Sequence, residues 1–337
     1  MESIPDPTLP FIDLHRHLDG SVRLTTILEL GRQHHLPLPA WDVEKLRPSV
    51  QVTKPQNSVM EFIGKFKWMV GVLVDDEAVR RIAYENVLDA KQEGIDYIEL
   101  RFSPWFMAEP HQLDPKSVVA AVIDGINQGR AETGMKVNLI GILSRGYGVD
   151  IAWEELNALL SYSNDLVAID LAGDEAGFPG KAFVPHFRKV REYGLQVTIH
   201  AGEAAGPDSI WQAIQELGAS RIGHAVSALR DPALLQVLRE EKIGIETNLT
   251  SNVQTSTVPS YAQHPLRAFL EAGLLATINS DDPGISGIDL NYEYRVAAPA
   301  AGLSAQQIRQ CQINAVEVAF LSAEEKKQLL EQKRKLC

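Results

Sequence analysis

His15 and His17 stand two positions apart in FIDLHRHLDG, residues 11–20. On an extended strand, side chains two apart share a face, so both imidazoles can reach one ion. Such a pair is weak evidence alone, since a surface loop can hold two histidines. What lies downstream gives it weight. His200 and Glu203 sit in HAGE, His224 in RIGHA, and Asp281 with Asp282 in NSDDP; Gly173-Asp174-Glu175 closes DLAGDE. The imidazoles of His15, His17 and His200 with the carboxylate of Asp281 suit zinc or another borderline divalent ion. An ion with a spare position binds water and lowers its pKa towards neutrality. His224 can orient that water or take its proton. Glu203, three residues past His200, lies near the ion without needing to bind it, and held protonated it can donate to a substrate nitrogen. Asp282 can accept a hydrogen bond or a proton. The chemistry is metal-assisted hydrolysis of a polar group on a small molecule; spacing alone does not say which. His34, His35, His111, His186 and His264 fall in helical or loop contexts and read as surface or structural.

These residues act together only if the fold gathers them at one rim. Apolar, β-branched runs predict strands at 11–15, 96–102, 136–143, 166–173, 195–202, 221–225, 243–248 and 274–280. Most are nearly continuous in hydrophobicity, as parallel strands buried on both faces are. Helical patterns lie between them. Asp114-Pro115 and Asp231-Pro232 are N-caps followed by proline, Gly134 ends a helix, and Ser304 with Gln307 makes a capping box. Between Asp75 and Gly94, Val79, Ile82, Ala83, Val87 and Ala90 mark one helical face. Eight strand–helix repeats predict an α/β fold, a (β/α)₈ TIM barrel, whose catalytic residues gather at the C-terminal strand ends. An open doubly wound sheet is the rival, but no glycine-rich phosphate fingerprint follows the first strand. Residues 1–337 read as a single barrel domain with a helical insertion at 22–94, including the aromatic stretch VMEFIGKFKWMV (59–70). A long first strand-to-helix connection lies on the catalytic face, so it is expected to act as a lid.

Bulk properties exclude several classes. A net charge of −12 argues against phosphate backbones and anionic membranes as partners. Two cysteines, Cys311 and Cys337, cannot build a disulfide framework or a Cys-based zinc site, and suit a reducing cytoplasm. The opening MESIPDPTLP lacks the regions of a signal peptide, and no apolar run approaches a membrane span.

HRHLDGS, DLAGDE, HAGE, RIGHA and NSDDP, in this order over about residues 8–322, resemble the adenosine and AMP deaminase family, and its bacterial adenosine deaminases most. The resemblance implies a zinc-dependent TIM barrel, one Zn²⁺ per subunit, that converts adenosine and 2′-deoxyadenosine into inosine or deoxyinosine and ammonia. It makes His15, His17, His200 and Asp281 the ligands. Glu203 becomes the proton donor to purine N1, and His224 the residue that orients or deprotonates the water. Asp282 would bond N7, the Gly173 N–H would bond N3, and Asp19 would reach the ribose 5′-hydroxyl. Phe62, Ile63 and Phe66 would form part of an apolar wall over the ribose. No nucleic acid, membrane or obligate protein partner is implied.

The chain departs from the pattern at His224-Ala225, where His-Gly is expected, and at Asn248, where cysteine is expected. The first matters only if the backbone there needs a positive φ. Adenine deaminases share almost every motif but often carry glutamate where Asp19 stands and asparagine at Asp174, so Asp19 favours the nucleoside. An HxH hydrolase with two metals would want a lysine or extra carboxylate at a strand end, and no predicted strand ends in lysine. A non-catalytic relative would have lost a ligand or Glu203; neither is lost.

Overall fold

The structure, a computed structural model, describes residues 4–336; Cys337 and the first three residues of MESIPDPTLP lie outside them. Among the described residues, eight strands pair in parallel in chain order. They are β1 (Ile12–His17), β2 (Tyr97–Phe102), β3 (Lys136–Ser144), β4 (Leu166–Ala172), β5 (Gln196–Ala201), β6 (Arg221–His224), β7 (Gly244–Thr247) and β8 (Leu275–Ile278). Every expected strand is present, with ends displaced by at most two residues. β1 and β8 shift most, by two residues at their C-terminal ends. β1 runs through His17, so His17 lies inside the strand with His15 rather than just beyond it.

The predicted punctuation holds. Asp114 caps Pro115–Thr133, and Gly134 ends it at φ 66°. Asp231 caps Pro232–Glu240, and the Ser304–Gln307 capping box is complete. The stretch 59–70 is not one helix but Val59–Ile63, a 3₁₀ turn Gly64–Phe66 and Lys67–Val70. Gly64 and the tightening at Phe66 break it.

The interior of the barrel departs from an apolar expectation. Side chains alternate along each strand, and several buried ones carry charge. Arg221 reaches Glu99 and Glu246; Arg101 reaches Glu246 and Asp170 at 2.8 Å each. All five side chains are buried. Burying any one of these charges alone would be strongly unfavourable, so each is paired. The chain of ion pairs runs up the barrel axis towards the rim.

β8 and β1 are joined by a bridge rather than a full ladder. The Asp281 N–H donates to His15 O, and the His17 N–H donates to Asp281 O, both at 2.8 Å. Arg16, on the face opposite His15 and His17, pins the same seam. Its Nε donates to Asp13 and Ser280, and its two Nη groups donate to Glu93. Thus Arg16 fixes the strand while its neighbours face the centre.

Candidate active site

β1 contributes His15 and His17, β5 contributes His200, and the segment after β8 contributes Asp281. One donor atom from each lies within 4.8 Å of the others. His15 Nε2 is 3.2 Å from Asp281 Oδ1, and His17 Nε2 is 3.3 Å from His200 Nε2. Two imidazole nitrogens facing each other this closely, in a buried setting, have a natural explanation as donors to a shared cation. His15 Nε2 makes no hydrogen bond within the protein. The residues therefore fit a divalent ion with nitrogen and oxygen donors.

The second ring nitrogens explain why the first point inwards. His15 Nδ1 is 2.7 Å from Glu246 Oε2, and His200 Nδ1 is 2.9 Å from Asp170 Oδ2. A carboxylate at Nδ1 keeps the proton there and leaves Nε2 free to bind metal. Burial pushes both carboxyls up, but the groups facing them together more than offset it: His200 and then Arg101 at Asp170, Arg101 and then Arg221 at Glu246. Both stay below the usual carboxylate range and remain charged. The barrel's inner ion pairs thus act on the ligand histidines through two carboxylates. None of Asp170, Glu246 or Arg101 stood out in the sequence. The signal was present as charged residues at alternate positions of otherwise apolar strands.

Asp281 adopts φ 60°, a left-handed conformation that costs a non-glycine residue roughly 1–2 kcal/mol. The two backbone hydrogen bonds to β1 hold it there. Asp282 follows with its carboxyl buried and Oδ1 unpartnered. Burial, then the neighbouring Asp281 charge, pushes its carboxyl well up. Gly20 makes room for it: a Cβ at that position would lie 1.8 Å from Asp282 Oδ1. Gly20→Ala is therefore expected to displace the Asp282 carboxyl and raise KM at least tenfold with metal content unchanged. Steady-state kinetics beside metal analysis checks this; unchanged KM would mean Asp282 does not hold substrate.

Glu203 projects from the loop after β5, with a side chain 9% exposed. Burial first, then the charges of Asp281, Glu175 and Asp282, pushes its carboxyl well above the usual range. Its backbone is held by Glu175, whose carboxylate accepts from the N–H groups of Gly202, Glu203, Ala204 and Ala205 at 2.5–3.1 Å. Glu175 was visible in DLAGDE without a role; here it shapes the loop that carries Glu203. Glu175→Gln would set an amide NH₂ against these donors. We expect kcat to fall about 10–100-fold, the order typical of losing a residue that orients a site group, with zinc retained. Wild-type kcat in that variant would show that the loop holds its shape unaided.

His224 ends β6 at φ 67°, and Ala225 follows at φ 53°. The position where glycine was expected does need a positive φ. The Ala225 methyl is fully buried, and burying about one carbon gains roughly 0.8 kcal/mol, which offsets much of the left-handed cost of about 1–2 kcal/mol. Asn248, in place of the expected cysteine, lies with its amide nitrogen 3.3 Å from His224 Nδ1.

Two adjoining cavities share the rim. One of about 60 Å³ is lined by His200, Glu203, His224, Asp281, Asp282 and Phe62. The other, of about 240 Å³, is lined by Asp19, Ile63, Phe66, Ser103, Tyr147 and Gly173 among others. His17, Gly173, Ile63 and Phe66 line both. Gly173 has φ 103°, a conformation suited to glycine. Asp19 Oδ2 accepts from the Ser103 N–H at 3.2 Å, and its Oδ1 accepts no hydrogen bond but lies 3.7 Å from His17 Nδ1. Phe62 and Phe66 meet edge to face at 6.4 Å. The structure therefore brings every expected site residue to one mouth. Of the five histidines read as surface or structural, His186 and His264 are buried, and His264 hydrogen-bonds Asn252, which reaches His224.

Among the described residues, no helix is long and apolar enough to cross a membrane. The family model described as adenosine deaminase matches residues 10–335. An adenosine deaminase of Vibrio parahaemolyticus is 58% identical, covering 96% of this chain and 97% of its own. One from Escherichia coli is 56% identical over 97% and 98%. Among solved structures, an adenine deaminase from Arthrobacter aurescens shares the fold at a TM-score of 0.90 and 24% identity, covering 97% of this chain and 99% of that one. An N6-mAMP deaminase from Arabidopsis superposes at 0.84 with 27% identity, covering 98% of each.

Proposed function

The chain belongs to the adenosine deaminase family, and from that membership we propose that it hydrolyses the 6-amino group of adenosine and 2′-deoxyadenosine, releasing ammonia in purine salvage. The observation that carries the reading is the convergence of His15, His17, His200 and Asp281 beside Glu203, His224 and Asp282. One zinc ion on the four donors would supply a water of lowered pKa. The protein's own groups do the rest. Asp282, its carboxyl held protonated by burial and the Asp281 charge, donates a hydrogen bond to purine N7, for which its unpartnered Oδ1 is suited. The Gly173 N–H meets N3. Glu203, kept protonated by burial, gives its proton to N1 as water adds at C6; the carboxylate so formed takes the proton the water gives up and returns it to the amino group, which leaves as ammonia. His224 holds the adding oxygen. Asp19 takes the ribose 5′-hydroxyl, and Phe62, Ile63 and Phe66 cover the sugar and exclude water.

The same reading treats residues 1–337 as one barrel domain with 22–94 as its insertion over the mouth. It places the enzyme in the cytoplasm, in keeping with the free, buried Cys311. Nucleic acid, membrane and obligate protein partners play no part in it. Stripping the metal with a chelator is expected to abolish turnover, and one zinc per chain should restore it. Full activity of metal-free protein, or restoration only at two ions per chain, would contradict this reading.

A further inference from the structure

We propose that His264 is a positioning residue which, through Asn252, fixes the tautomer of His224 so that Nε2 carries the proton. This rests on the function proposed above for His224. The chain of hydrogen bonds has one fixed end. The backbone N–H of Leu266 can only donate, and it points at His264 Nδ1 at 3.1 Å. His264 Nδ1 is therefore bare, and its proton sits on Nε2. His264 Nε2 lies 3.1 Å from Asn252 Oδ1, so the amide oxygen accepts. That leaves the Asn252 NH₂ facing His224 Nδ1 at 2.9 Å, where it must donate. His224 Nδ1 accepts, and a neutral ring then holds its proton on Nε2.

Each link is buried: Asn252 at 0%, His224 at 2% and His264 at 4% exposure. The direction of the amide is thus set by a backbone donor, not chosen. Burial keeps His264 neutral by pushing its pKa down to about 3. The Asn248 amide nitrogen straddles the ring edge, 3.3 Å from His224 Nδ1 and 3.5 Å from Nε2, so the choice of tautomer rests on Asn252. His224 Nε2 lies 3.8 Å from Asp281 Oδ2, on the side of the metal ligands. With a proton there, His224 is a donor to the reacting oxygen. It is not the acceptor of the first proton.

The tautomer is read directly by ¹⁵N NMR of histidine-labelled, zinc-loaded protein without substrate, with His224 assigned by its loss in His224→Gln. The expected spectrum shows His224 protonated at Nε2 and bare at Nδ1. His264→Leu frees the Asn252 amide to turn over. It should populate the Nδ1-protonated form and lower kcat by about 10–100-fold, with KM within twofold and zinc retained. His264→Gln, which keeps an N–H donor towards Asn252, should recover most of the rate. A wild-type His224 protonated at Nδ1 would overturn the proposal even if His264→Leu failed to fold. So would a His264→Leu protein with unchanged tautomer and kcat. Failure of the wild type to turn over adenosine would instead sink the proposed function, and the substrate-free spectrum is independent of that result.

Discussion

Glu203→Gln is expected to keep its zinc and lose about 10²–10⁴ in kcat, the usual worth of a positioned acid. Glutamine matches the shape of the side chain. It leaves the four backbone N–H bonds to Glu175 untouched, because those run through the 202–205 main chain. What it removes is the proton that burial and the neighbouring carboxylates hold on the acid. A loss confined to kcat, with KM little changed, would mark an interaction made in the transition state. Zinc analysis beside steady-state rates makes the comparison, and a near-normal rate would remove Glu203 from its role.

His17→Ala should lose the ion as well as the reaction. His17 Nε2 lies 3.3 Å from His200 Nε2 and 3.4 Å from Asp281 Oδ1, so its loss opens one side of the donor set. Removing an outer partner of a metal ligand costs about 10–100-fold in affinity or activity, and removing the ligand itself should cost more. Because metal bound to the folded state stabilises it, the melting temperature of wild type should rise with added zinc, and that of the variant should not. A variant that still holds one zinc per chain would contradict the ligand set. Arg16→Met tests the neighbour separately, since the Arg16 side chain bonds Asp13, Ser280 and Glu93 at the β8–β1 seam; zinc retained there beside its loss in His17→Ala is the expected result.

Sequence spacing was enough to find the mouth, because its chemistry sits at strand ends and strand ends announce themselves by apolar runs that stop. His15 and His17 were placed on one face by the two-residue period. Asp281 and His200 came from matching positions of other strands. The supporting groups were hidden for a physical reason. Glu246, Asp170 and Arg101 lie inside strands, where a charge is tolerated only because partners from distant strands neutralise it. One sequence does not reveal such pairings. His264 was set aside because its local context is a loop, and its contact with Asn252 spans a turn whose path only the fold determines. Arg16, between the two ligands, was given no role from the sequence. It proves to anchor the seam at which Asp281 joins β1. The break at Gly64–Phe66 escaped the helical period because glycine alone does not say where a helix yields.

The claim at the centre of this account is that the mouth takes a nucleoside, with Asp19 meeting the sugar. Adenosine and adenine, offered separately to the zinc-loaded protein and followed by absorbance at the purine band, test it most directly. Adenosine should be consumed with release of ammonia while adenine persists. Turnover of adenine with none of adenosine would contradict it.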